Sequence, residues 1–169
     1  MALAAAEAGV KNNLSIVINE SVENILHGVS VGDLYERRTD SGQMSVSVNT
    51  SRMNEICNAL SAEISTRVSS FGRQDVAVPY GALLGLDIFA NLGPPFTVTL
   101  LYAGSANVDY NTRFEAVGIN QVNYQVWLHV NLAVWIVNPL REKEIVVTRK
   151  YALVNTVFSG QVPGVYLDN

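Results

Sequence analysis

The stretch VNYQVWLHVNLAVWIV, residues 122–137, carries an apolar side chain at every even position: Val122, Tyr124, Val126, Leu128, Val130, Leu132, Val134 and Ile136. Period-two alternation sends one set of side chains to one side of an extended backbone and the other set to the opposite side. A long strand with a single apolar face belongs in an antiparallel sheet, because parallel strands are buried on both faces and lose the alternation. The odd positions hold Asn123, Gln125, Trp127, His129, Asn131, Ala133 and Trp135. Two tryptophans among amides and an imidazole make a face suited either to a partner or to cover by helices from elsewhere in the chain. Trp127, His129, Asn131 and Trp135 are therefore the candidate interaction surface.

On either side of this strand the pattern stays β. Phe96, Val98, Leu100 and Tyr102 alternate, then Val108, Tyr110, Thr112, Phe114 and Ala116, and a further run covers residues 145–158. Turn residues at Gly104-Ser105, Gly118-Ile119-Asn120 and Asn138-Pro139 divide this half into an antiparallel meander of four long strands.

The first half reads differently. Leu14, Ile18, Val22, Ile25 and Leu26 recur at the spacing of an amphipathic helix that stops near Gly28. Residues 31–38 and 43–48 form a strand pair around Thr39-Asp40-Ser41-Gly42. Asn49-Thr50-Ser51 supplies capping oxygens for a second helix, with Met53, Ile56, Cys57, Leu60, Ile64 and Val68 on one face. After Gly72, residues 75–78 read as a strand ending at Pro79. Residues 80–95 are dense in Gly and Pro and are expected to form a short buried helical turn followed by a stiff loop.

The expected fold is α+β: helix-strand-strand-helix-strand, then a long-stranded antiparallel meander, with both helices on one face of the sheet. Residues 1–13, alanine-rich at the start, are read as a stub, the tail of a longer helix. Residues 14–169 are read as one domain, α/β-rich over 14–95 and all-β over 96–169.

Composition narrows the functions. Of 169 residues 49% are apolar, but only 15% are Asp, Glu, Lys or Arg, against roughly 25% in an average soluble domain. Such a surface repels itself weakly and permits self-association. A net charge of −4, with no basic cluster larger than Arg37-Arg38 or Arg149-Lys150, argues against nucleic acid. Cys57 is the single cysteine, so neither an intramolecular disulfide nor a cysteine metal cluster is possible. Its place on the apolar helix face makes it a small core hydrophobe.

No constellation points to catalysis, a cofactor or a metal. His27 stands at a helix C-terminus, where a partly positive imidazole complements the helix dipole. His129 has no nucleophile or carboxylate at a recognisable spacing. Glu20, Glu23, Asp109 and Glu115 read as solvated, and a hydrolase would need two carboxyl groups among these and Asp87 to converge. Gly81 and Gly85 are not followed by the Gly-Lys-Ser/Thr of a phosphate loop.

Five segments carry a resemblance. NESVENIL (19–26), VNTSRMNEI (48–56), VPYGALLGLDIFANLGPP (78–95), FEAVGINQVNYQVWLHV (114–130) and SGQVPGVYLDN (159–169) together resemble the YunB family of bacterial sporulation proteins. The resemblance implies an extracytoplasmic domain behind an N-terminal single-pass anchor in the mother-cell or outer forespore membrane, with residues 1–13 as the stub of that transmembrane helix. It brings no catalytic residues. The order of the first half is also similar to ring-building modules of secretion and sporulation channels, an analogy of fold alone. The expected role is non-enzymatic: contact with other sporulation or envelope proteins, or with further copies of the chain, in the space between the two membranes. The alternative is a module binding lipid or cell-wall fragments in a pocket lined by Leu83, Leu86, Ile88 and Phe89.

Overall fold

The computed structural model describes residues 2–40, 43–79, 92–118, 121–138 and 141–159. Helix α1 spans Ala2–Leu26 and α2 spans Thr50–Phe71. Between them lie a 3₁₀ turn, Val31–Leu34, and the hairpin strands β1 (Tyr35–Asp40) and β2 (Gln43–Val48). Then follow β3 (Arg73–Pro79), β4 (Pro95–Gly118), β5 (Gln121–Asn138) and β6 (Arg141–Ser159). The α+β class and the order of elements are those expected.

The main sheet is antiparallel in the order β3-β4-β5-β6, while β1 and β2 pair only with each other. Thus the strands of the first half are divided: the hairpin forms a small sheet of its own, and β3 joins the long strands. Residues 31–34 are 3₁₀ and not strand, because Ser30 accepts a hydrogen bond from the Gly32 amide and starts a tight turn.

The expected break at Gly104-Ser105 does not occur. β4 runs through it as one strand, so the meander has three long strands and not four. Glycine serves there for close approach: a Cβ on Gly104 would lie 3.0 Å from the Ala133 carbonyl oxygen and 3.1 Å from Val68 Cγ1 on α2. The last strand also begins earlier than expected, taking in the charged residues 141–144. It has β5 on one side only, and charge is tolerated on such an edge.

Both helices lie against the even face of β5. Tyr124, Val126, Leu128, Val130, Leu132 and Val134 are completely buried, in one cluster with Leu14 and Ile18 of α1 and all six residues of the α2 stripe. Fully burying an aliphatic side chain of this size contributes about 1.5–3 kcal/mol, so this seam dominates the fold. The Asn49 side chain accepts the Arg52 amide at 3.1 Å and caps α2, and Gly72 closes its C-terminus at φ 51°.

Polar contacts fix where the helices sit. Arg149 of β6 donates to Ser15 Oγ of α1 at 3.0 Å, and Tyr151 donates to Asn19 of the same helix. Arg67 of α2 bonds Glu20 of α1 at 2.9 Å and Glu63 of its own helix at 2.8 Å. Ser61 of α2 donates to the Ala106 carbonyl of β4 at 2.6 Å.

A bulge keeps β6 aligned with this core. Val126 pairs with Val154 but Trp127 pairs with Ala152, leaving Leu153 as the extra residue. Val154 and Phe158 beyond the bulge, and Ile145 and Val147 before it, then all turn inward although their numbers differ in parity. At the far end of the sheet Tyr35 packs edge-on against Tyr124 and Phe158, with ring centroids 6.2 and 5.6 Å away, and so seats the hairpin.

Candidate functional site

The face of the main sheet opposite the helices holds the odd residues of β5. Trp127, His129 and Asn131 follow one another on it at alternate positions. Trp135 shares the face but lies eight residues from Trp127, about 27 Å along the strand. The two tryptophans are therefore not brought together.

Each has its own surroundings. Trp127 is half-buried and donates its indole N–H to Gln125 Oε1 at 3.2 Å, which satisfies the one polar group of the ring. Trp135 is 46% exposed, and Val146 of β6, paired with Ala133, is 52% exposed beside it. His129 stands between Asp109 of β4 and Lys150 of β6 in one row across the sheet. Asn131 accepts a hydrogen bond from Thr148 at 2.9 Å, joining β5 to β6.

Around Trp127 the sheet surface is concave. An open hollow of about 410 Å³ is lined by Asn111, Thr112, Arg113, Trp127, His129 and Lys150. Register assembles the lining: Asn111 of β4 pairs with Trp127, and His129 pairs with Lys150 of β6. Arg113, Lys150 and Asn111 escaped sequence reasoning because they reach the site only through strand register. Alternation within β4 was the available signal, since Asn111 and Arg113 share the parity that faces away from Tyr110 and Thr112.

The remaining candidates are dispersed. Glu20 is engaged by Arg67, and Glu115 lies 3.9 Å from Arg113. Asp109 and Glu115 are six residues apart on one strand, about 20 Å. His27 is exposed after the last turn of α1, its amide closing on the Glu23 carbonyl at 2.8 Å. Among the described residues no three His, Cys, Asp or Glu side chains are grouped to hold a metal. Asp87, and the pocket expected around Leu83, Leu86, Ile88 and Phe89, lie outside the described residues.

Burial raises the pKa of the Cys57 thiol, with a smaller contribution from the Asp109 carboxylate. A raised thiol pKa keeps the group protonated at neutral pH and unreactive, in keeping with a packing role.

Residues 75–165 match the family model described as Sporulation protein YunB. The chain is also similar to the Sporulation protein YunB of Bacillus subtilis (strain 168), at 24% identity over 173 aligned positions, covering 95% of this chain and 68% of the relative. No solved structure matches it. This chain belongs to the YunB family of sporulation proteins, and its role is in sporulation.

Proposed function

We propose that this chain acts in endospore formation as a non-enzymatic assembly module that works by protein–protein contact. The observation that carries the reading is one-sided cover. Both helices shield the even face of the sheet, and the odd face is left with Trp135 and Val146 exposed side by side on neighbouring strands. Exposed apolar groups held on a rigid sheet, on a chain of low charge, fit contact with another protein or a further copy. Among the described residues β6 is an edge strand of the same sheet.

In this reading the module is tethered by an N-terminal single-pass anchor to the mother-cell or outer forespore membrane and works in the space between the two membranes. Among the described residues no helix is long and apolar enough to cross a membrane, so the tether would lie elsewhere in the protein. The Bacillus subtilis relative has length beyond the aligned part that could hold one.

The test is W135S/V146S in the full-length protein in sporulating cells. Loss of crosslinked partners, with normal protein levels, is the expected result. Unchanged partner capture would remove this patch from consideration.

A second reading, a module binding cell-wall fragments, is favoured by the open hollow around Trp127, where an aromatic ring stands among hydrogen-bonding side chains. A lipid is a poorer fit, because an acyl chain needs an enclosed apolar pocket and this hollow is open to solvent.

A further inference from the structure

Resting on that second reading, we infer that the hollow around Trp127 is a binding site for an acidic saccharide, a pyranose ring stacked on the indole with its carboxylate met by Arg113 or Lys150. Three features carry it.

First, the indole is prepared to act as a platform. Its N–H is already bonded to Gln125 Oε1, so the one polar group of the ring is satisfied and its face is what remains to offer. A pyranose has one C–H face that packs on an aromatic ring and a rim of hydroxyls that needs hydrogen bonds.

Second, the rim of the hollow supplies those bonds. Asn111 provides an amide, His129 an imidazole, Arg113 a guanidinium fork and Lys150 an ammonium. The hollow is shallow and open, which suits a hydrated ligand lying along the sheet better than an apolar one enclosed in a cavity.

Third, the charge is selective. Lys and Arg number 11 in the chain against 15 Asp and Glu, yet the lining holds Arg113 and Lys150 and no carboxylate. The neighbouring acids are Asp109, paired with His129 in the ladder, and Glu115, 3.9 Å from Arg113. Arg113 remains 67% exposed in its side chain, so that ion pair leaves most of the guanidinium available. Register places Arg113 and Lys150 in the rows on either side of Trp127 and on opposite neighbouring strands. A ring over the indole thus has a cation at two corners.

The test is titration of the 169-residue chain by calorimetry with three probes: hexagalacturonate, acidic on every ring; the neutral hexamer of N-acetylglucosamine; and citrate, which has carboxylates without a ring. Hexagalacturonate is expected to bind tightest. W127A is expected to weaken it about tenfold, as loss of one stacking ring does. R113Q/K150Q, both at exposed positions that the fold does not need, should weaken it at least as much, and added salt should do the same. E23A, at an exposed position on α1 on the other side of the sheet, should leave binding unchanged. Equal binding of the neutral hexamer would overturn the role of charge, and equal binding of citrate would overturn the saccharide. No binding of hexagalacturonate, or binding indifferent to both W127A and R113Q/K150Q, would overturn the site while leaving the Trp135/Val146 contact untouched. Loss of a crosslinked protein partner on W127A, without saccharide binding, would assign the hollow to that protein instead.

Discussion

Gly104 of β4 lies directly beneath Val68 of α2: a Cβ on the glycine would stand 3.1 Å from Val68 Cγ1 and 3.0 Å from the Ala133 carbonyl oxygen. The helix can settle on the sheet at this point because the strand presents no side chain. Since the carbonyl belongs to the neighbouring strand, it cannot swing away as a flexible side chain would. Gly104→Val is expected to destabilise the chain by about 1–3 kcal/mol through overpacking. Chemical denaturation measures this, and an unchanged midpoint would mean that α2 does not rest here.

Alternation in β5 predicts alternation in energy. Alanine at Leu128, Val130 or Leu132 should cost about 2–5 kcal/mol for the larger side chains and less for valine, because each leaves a cavity under the helices. Alanine at Gln125, His129 or Asn131 should stay within about 0.5 kcal/mol, as substitutions away from packed positions do. A scan showing large losses at the odd positions would mean that something covers that face.

The bulge makes an asymmetric prediction about deletions. Removing Leu153 straightens β6 yet keeps Val154, Phe158, Ile145 and Val147 on the inner side, because the residue lost is the one without a ladder partner. Removing Thr148, five positions earlier in a regular stretch, turns Ile145 and Val147 outward. The first deletion should therefore fold with a modest loss of melting temperature. The second should lose cooperative unfolding.

Tyr124 has no exposed surface, and its hydroxyl oxygen has no hydrogen-bond partner among the described residues. Tyr124→Phe removes that uncompensated group and should be neutral or stabilising by about 1–3 kcal/mol. The same burial gives a pH dependence. Burial raises the Tyr124 phenol above its ordinary value, with Tyr110 adding to it, and burial likewise raises Tyr151 and Cys57. For groups raised in the folded state, the stabilising difference is complete below the unfolded pKa and is lost as pH climbs through the folded one. Stability should be flat in these groups at neutral pH and fall above about pH 9–10, where thiols and phenols ionise in the unfolded chain. Tyr124→Phe should flatten that alkaline fall, as denaturation at a series of pH values would show.

Much of this architecture is legible in the residues because it is local. The β5 alternation, the α2 stripe from Met53 to Val68 and the Asn49 cap each depend on neighbours only a few positions away, and the fold uses them as written. Gly104 misled because a glycine that relieves a close approach and a glycine that makes a turn look alike in sequence. Whether the hairpin joined β3, and where β6 would bulge, depended on register across strands. The hollow was hidden for the same reason: Arg113, Trp127 and Lys150 lie on three strands, and only pairing brings them together. Trp127 and Trp135 shared a parity, as expected, but strand length keeps them apart.

The account rests on the sheet face opposite the helices being the working surface, and site-specific photocrosslinking tests this most directly. A crosslinking residue would be placed at Trp135 in the full-length protein, and as a control at Glu23, exposed on α1, and both proteins activated in sporulating cells. The account predicts adducts at position 135 and none at position 23. Adducts at position 23 with none at 135 would contradict it.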